Sequence, residues 1–175
     1  MLKHWRQLLN TDCTVVKVGA YTVYPILRVG STSLNLASDE KYINQEIAKC
    51  DHIDVLLRDP RERFVSGLNE YCKQHNLDVN DTWQEVAGGH LIDRHFAPQF
   101  VHLLHLYKFY KGIVTLRPFQ FIEKITSVHE RGYNFKKTKV DPITSFVEID
   151  YRLLESCNRP IQLGNLIEEH IHALS

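Results

Sequence analysis

Apolar and polar positions along this chain follow two different periods, and the alternation between them lays out a fold. Thr14 to Val18 and Tyr21 to Leu27 are dense in β-branched and aromatic residues and predict two strands, preceded by a short helix. His52 to Arg58 and Ile113 to Leu116 predict two more. Between and after them the apolar spacing becomes helical, over Thr32 to Ala37, Thr82 to Ala87, Pro98 to Phe109 and Pro118 to Val128. A further helix follows Pro60, with Phe64, Val65, Leu68, Tyr71 and Cys72 as its buried stripe. The C-terminal third reads as helical, over Phe146 to Cys157 and Leu163 to Leu174, and residues 38–51 read as a polar connection. Strands alternating with helices predict an α/β fold of three layers, a mainly parallel sheet flanked by helices, with ligands bound where the strands end.

Composition narrows the function classes. The 175 residues contain no repeat, low-complexity stretch or linker, so residues 1–175 read as a single domain. Formal charge is zero, with 21 basic and 21 acidic residues, which speaks against a nucleic-acid surface but leaves room for a local polyanion pocket. Arg28, Arg58, Arg61 and Arg63 are candidates for it; Arg61 and Arg63 also read as a solvated helix face paired with Glu62 or Glu70. The first nine residues mix charges with apolar side chains and lack a signal-peptide core, and no later run reaches membrane-spanning length. Cys13, Cys50, Cys72 and Cys157 form no Cys-x-x-Cys pair, so neither a zinc site nor a disulfide framework is expected, and a reducing, cytoplasmic setting fits. His102 and His105 lie three residues apart but lack a third ligand, so they read as surface or packing residues and no metal is expected.

Two segments carry anion chemistry. At the end of the His52 to Arg58 strand, Asp59 can cap the next helix, Pro60 suits its first position and Glu62 completes a capping box. Arg58 and Ser66 can then approach one anion from two directions near the positive end of the helix dipole. Upstream, Gly30 allows close backbone approach, and the amides of Ser31, Thr32 and Ser33 at a helix start supply donors. Arg28, two residues before the glycine, can neutralise charge developing on a leaving phosphate. No Gly-Lys-Ser/Thr ending follows, so the loop is not a Walker A motif.

Arg58-Asp59-Pro60-x-x-Arg63-x-x-Ser66 resembles the 3′-phosphate-binding motif of sulfotransferases, which take sulfonate from 3′-phosphoadenosine-5′-phosphosulfate (PAPS). Tyr24-Pro25-Ile26-Leu27-Arg28-Val29-Gly30-Ser31-Thr32-Ser33-Leu34 resembles the family's 5′-phosphosulfate loop, with Arg28 at a position that is usually Lys. His90-Leu91-Ile92-Asp93-Arg94-His95-Phe96-Ala97-Pro98-Gln99 resembles an Asp-x-His-aromatic-x-Pro-Gln segment of the carbohydrate, chondroitin-type branch. Phe146 to Leu154 is similar to that branch's closing Tyr-x-x-Asp-Tyr-x-Leu helix, with Phe in place of the first Tyr.

The resemblance spans roughly residues 20 to 157 and implies a P-loop-like sulfotransferase fold and transfer of sulfonate from PAPS to a hydroxyl, with a saccharide as acceptor. Arg28, Gly30, Ser31, Thr32 and Ser33 would hold the 5′-phosphosulfate, and Arg58 and Ser66 the 3′-phosphate. Lys136 and Lys137, in a basic late loop, would close over the 3′-phosphate or else form a solvated loop. His95 is the first choice for the base that takes the acceptor's proton, with Glu40, Glu46 and His52 as alternatives. Two other readings stand beside it: an adenylylsulfate-type kinase, whose Walker lysine and magnesium carboxylate have no counterpart here, and a nucleotide-binding member of the fold without turnover.

Overall fold

The computed structural model describes residues 10–26, 31–88, 90–91, 93–126 and 145–171. Strands β1 (Thr14–Val18), β2 (Tyr21–Tyr24), β3 (Glu40–Ile43), β4 (His52–Leu57), β5 (Ile113–Pro118) and β6 (Pro160–Gln162) form one sheet in the order β3-β1-β2-β4-β5-β6. Helices α1 (Ser31–Leu36), α2 (Pro60–His75), α3 (Val79–Ala87), α4 (Gln99–Tyr107), α5 (Phe121–Thr126), α6 (Ser145–Leu154) and α7 (Leu163–His170) flank it. A 3-10 helix, Asn44–Lys49, joins β3 to β4. Among the described residues no helix is long and apolar enough to cross a membrane.

The sheet is mixed rather than mainly parallel. β2 pairs parallel with β4, and β4 with β5, whereas β1 is antiparallel to both β2 and β3, and β6 is antiparallel to β5. Sequence patterning misses the two outermost strands for a physical reason. β3 reads Glu-Lys-Tyr-Ile and β6 reads Pro-Ile-Gln, each bonded on one side only, so neither is required to be apolar, and Pro160 is tolerated because one flank needs no amide. β2 stops at Tyr24, three residues before the predicted end, where Pro25 has no N–H to donate.

The core forms because the central strand is covered on both faces. Ile53, Val55, Leu56 and Leu57 of β4 are all buried. Asp54, buried among them, is paired with Arg117 Nε at 3.0 Å, and that guanidinium stacks on Phe121 of α5. On the opposite face, α4 contributes Phe100, Leu103 and Leu106 to the same core. A second apolar cluster joins Phe64, Leu68 and Cys72 of α2 to Val86, Phe96 and Val101.

What this topology positions is the edge where β2 and β4 end. Tyr24 pairs with Val55, so the two strand tips are neighbours, about 5 Å apart. From β2 the chain runs through α1 to β3 on one side of the sheet, and from β4 through α2 and later elements to β5 on the other. Divergence of this kind opens a crevice at the carboxyl ends of the strands.

Candidate functional site

The corner after β4 is built from both the local sequence and two distant segments. Asp59 caps α2, its carboxylate accepting from the Glu62 amide at 3.0 Å, and Pro60 occupies the first turn. The Glu62 carboxylate lies 3.7 Å from Arg58 Nε, and the Arg58 guanidinium sits 5.3 Å from the centre of the Phe119 ring. Arg58 is 7% exposed, and its main chain is held at both ends by one side chain. The Arg58 amide donates to Gln99 Oε1 at 3.0 Å, and Gln99 Nε2 donates to the Arg58 carbonyl at 2.9 Å.

Gln99 is fixed in turn by Asp150 of α6. The amides of Gln99 and Phe100, the first two of α4, donate to the Asp150 carboxylate at 2.7 and 3.0 Å. Next to it, the Tyr151 hydroxyl donates to Asp59 at 3.4 Å. Three segments separated by dozens of residues, each singled out from the sequence, therefore meet at one corner. The reading of the sequence gave Asp150 no role. Its signal was Pro98 before α4, which has no side-chain acceptor for the helix's first amides and so leaves that duty to another element.

Burial pushes the Asp150 carboxyl up to about 6, against the lowering effect of the Gln99 and Phe100 amides and of Arg63. Its folded value lies above its ordinary value of 3.8, so between those pH values the folded protein keeps a proton that the unfolded chain has lost. The stability this confers is complete below pH 3.8 and is lost as pH rises through about 6. An Asp150→Asn variant does not titrate there, and relative to wild type it should gain about 3 kcal/mol between pH 4 and pH 7. Urea midpoints of the two proteins across that range check the trend; a constant gap contradicts it.

Ser66 lies two turns into α2 and is buried. Arg63 departs from both expectations held for it, since it is neither part of an open anion cluster nor solvated. It falls on the buried stripe with Pro60, Phe64, Gly67 and Leu68, and is 2% exposed. Its guanidinium donates to the Ala97 carbonyl, lies 3.5 Å from the Arg94 carbonyl and contacts His102 Nε2 at 3.0 Å. A guanidinium only donates, so His102 Nε2 must accept and the ring proton resides on Nδ1. Burial, reinforced by Arg63, holds His102 well below its ordinary value, so the ring stays neutral.

His95 Nδ1 lies 2.5 Å from Asp93 Oδ1, and the His95 amide donates to the same oxygen at 2.9 Å. Burial would raise Asp93, but its bonds with His95 outweigh that and hold the carboxyl below the usual range. The three alternative bases are spread apart. Glu40 accepts from the Tyr42 hydroxyl at 3.2 Å on the edge strand, and Glu46 accepts from the Ile43 amide at 3.4 Å. His52, bonded to Thr115 at 2.7 Å, begins β4 and is therefore about 17 Å from the strand's carboxyl tip. The fold does not bring His52 to the edge where Arg58 lies.

A cavity of about 430 Å³ opens beside the tip of β2, with Tyr24, Ser31, Lys41, Arg94, His102 and His105 among the residues lining it. Both histidines that the sequence suggested as surface or packing residues are thus on its wall, whereas His95 is not. His105 Nε2 donates to the Thr11 carbonyl at 2.9 Å, and its Nδ1 lies 3.5 Å from the Tyr24 hydroxyl. Burial raises Tyr24 well above its ordinary value and pushes the Cys13 thiol up to about 12, so both remain neutral. Lys41 and Arg94 bring positive charge to the wall.

Of the other predicted anion ligands, Ser31 opens α1 and Thr32 and Ser33 follow within it, while Arg28, Gly30, Lys136 and Lys137 lie outside the described residues. No group of three potential metal ligands occurs among the described residues. The chain matches no protein-family profile, and no curated protein or solved structure resembles it.

Proposed function

We propose that this chain is a PAPS-dependent sulfotransferase that moves sulfonate from 3′-phosphoadenosine-5′-phosphosulfate to an acceptor hydroxyl, with a carbohydrate as acceptor and the cytoplasm as its place of action. The observation that carries this reading is the pairing of Tyr24 with Val55, which sets the segment leading to Ser31 beside the corner at Arg58. Two anion cradles on adjacent strand tips suit one nucleotide with phosphate groups on both sides of its ribose. Arg58 and Ser66 take the 3′-phosphate; Arg28, Gly30 and the amides of Ser31, Thr32 and Ser33 take the 5′-phosphosulfate; Lys136 and Lys137 cover the nucleotide. The acceptor enters the cavity lined by Lys41, Arg94 and His102.

In the transfer, the acceptor oxygen bonds to sulfur as the bond from sulfur to the phosphate oxygen breaks, and Arg28 balances the charge left on the phosphate. The acceptor's proton goes to His95 Nε2. Asp93 engages the other ring nitrogen, which favours the tautomer a base requires. His102 is the poorer choice despite its place on the cavity wall, because Arg63 already occupies its Nε2 and its proton sits on Nδ1.

Calorimetric titration with 3′,5′-bisphosphoadenosine, and separately with ATP and magnesium, tests the assignment. Binding of the bisphosphate alone is expected; preference for magnesium ATP would move the chain to the kinases. Transfer of labelled sulfate to a panel of sugars, phenols and peptides tests turnover. Tight nucleotide binding with no transfer to any of them would leave a binding protein rather than an enzyme.

A further inference from the structure

We propose that Asp150 and Gln99 are positioning residues for the anion site at Arg58, acting through the Arg58 main chain rather than by touching the ligand. This inference rests on the sulfotransferase reading, because it supposes that Arg58 takes a phosphate.

The chain of contacts is continuous and buried. Asp150 accepts the first two amides of α4, the second residue of that motif segment turns its side-chain amide to Arg58, and both ends of that amide are used on the Arg58 backbone. Gln99 is fully buried and Asp150 is 2% exposed. A side chain bonded through both its oxygen and its nitrogen has one orientation, so the Arg58 backbone inherits the placement of α4. Tyr151, adjacent to Asp150, braces Asp59 from the same helix, so the residues on both sides of the strand-to-helix corner are tied to α6.

A purely structural account explains these residues less well. A helix start is ordinarily capped by its own Ser, Thr, Asn or Asp. Here Pro98 stands at that place and the cap comes from a residue about fifty positions later, as a buried carboxylate. Burial raises the carboxyl's titration, so ionised Asp150 costs the folded state stability near neutral pH. Stability given up at a fixed geometry is the usual mark of a functional constraint. What the costly group holds in place, two bonds away, is the main chain of Arg58.

The test separates positioning from general destabilisation by using two nucleotides that differ only at the 3′-phosphate. Asp150→Asn removes one carboxylate oxygen and should weaken binding of 3′,5′-bisphosphoadenosine about tenfold, while adenosine 5′-monophosphate, which does not engage Arg58, should change by less than about twofold. In an Arg58→Ala background the same substitution should add nothing to the loss. Gln99→Met, which leaves both Asp150 bonds to the main chain available, should reproduce the selective loss and carries the test if Asp150→Asn does not fold. Equal weakening for both nucleotides, or full additivity with Arg58→Ala, overturns the inference. Wild-type protein that binds no bisphosphate overturns the sulfotransferase reading itself, whereas normal wild-type binding with unaltered variants overturns only the positioning role.

Discussion

Arg58→Ala is expected to weaken binding of 3′,5′-bisphosphoadenosine about a hundredfold, because a guanidinium joined to a phosphate by two charge-assisted bonds contributes about 3 kcal/mol or more. The fold should survive. The Arg58 amide and carbonyl keep their bonds to Gln99 whatever the side chain, and the Asp59 cap and Pro60 at the start of α2 do not depend on the guanidinium. Lost contacts are the stacking on Phe119 and the 3.7 Å pairing with Glu62, together about 1–2 kcal/mol, or a few degrees in melting temperature. Arg58→Lys separates charge from shape: it keeps the cation but loses the planar fork, so partial recovery of affinity is expected. An alanine variant that binds the bisphosphate as tightly as wild type would end the assignment of the 3′-phosphate to this corner.

That corner was largely legible from sequence, and the reasons are local. An apolar run that must be buried on both faces, followed by Asp59, Pro60 and Glu62, leaves little freedom for where the strand ends and the helix begins. Glu62 fills the role only in part, because its amide bonds to Asp59 while its carboxylate lies by Arg58. Illegible were the features that depend on which element lies beside which. Nothing local marks Glu40–Ile43 as a strand, since an exposed edge is recruited by pairing with β1 rather than by its own pattern. Arg63 looked like a surface cation because charge is read before helical phase. On the stripe shared with Phe64 and Gly67 it is buried, and the carbonyls of a tight loop offset its charge. Asp150 and Gln99 likewise acquire meaning only when α4 and α6 pack together.

Gly67→Ala should cost the most stability of any single change at this site. A Cβ added to Gly67 would lie 1.8 Å from the His95 carbonyl oxygen and 2.5 Å from its carbon, closer than nonbonded atoms can stand. Those atoms are backbone, so no rotamer change relieves the overlap; either α2 or the loop at 93–97 must move. The loop is poorly free to do so. Arg63 holds the Ala97 carbonyl, Asp93 binds the His95 amide, and Phe96 packs against Phe64 in the second apolar cluster. Overpacking against backbone should cost about 4 kcal/mol, which for a chain of this length lowers the melting temperature by about 10 °C. A functional consequence follows from where the strain falls. Gly67 lies one residue after Ser66, and its contact is the residue proposed as base, so relaxation of the loop displaces His95 with its Asp93 partner. At a temperature where the variant is still folded, sulfonate transfer should therefore fall further than affinity for 3′,5′-bisphosphoadenosine, which depends on the Arg58 corner. Melting curves together with amide exchange over residues 93–97 check the structural half, and paired binding and transfer measurements check the other. An alanine variant as stable as wild type would mean that α2 and this loop do not pack as closely as the 1.8 Å contact requires.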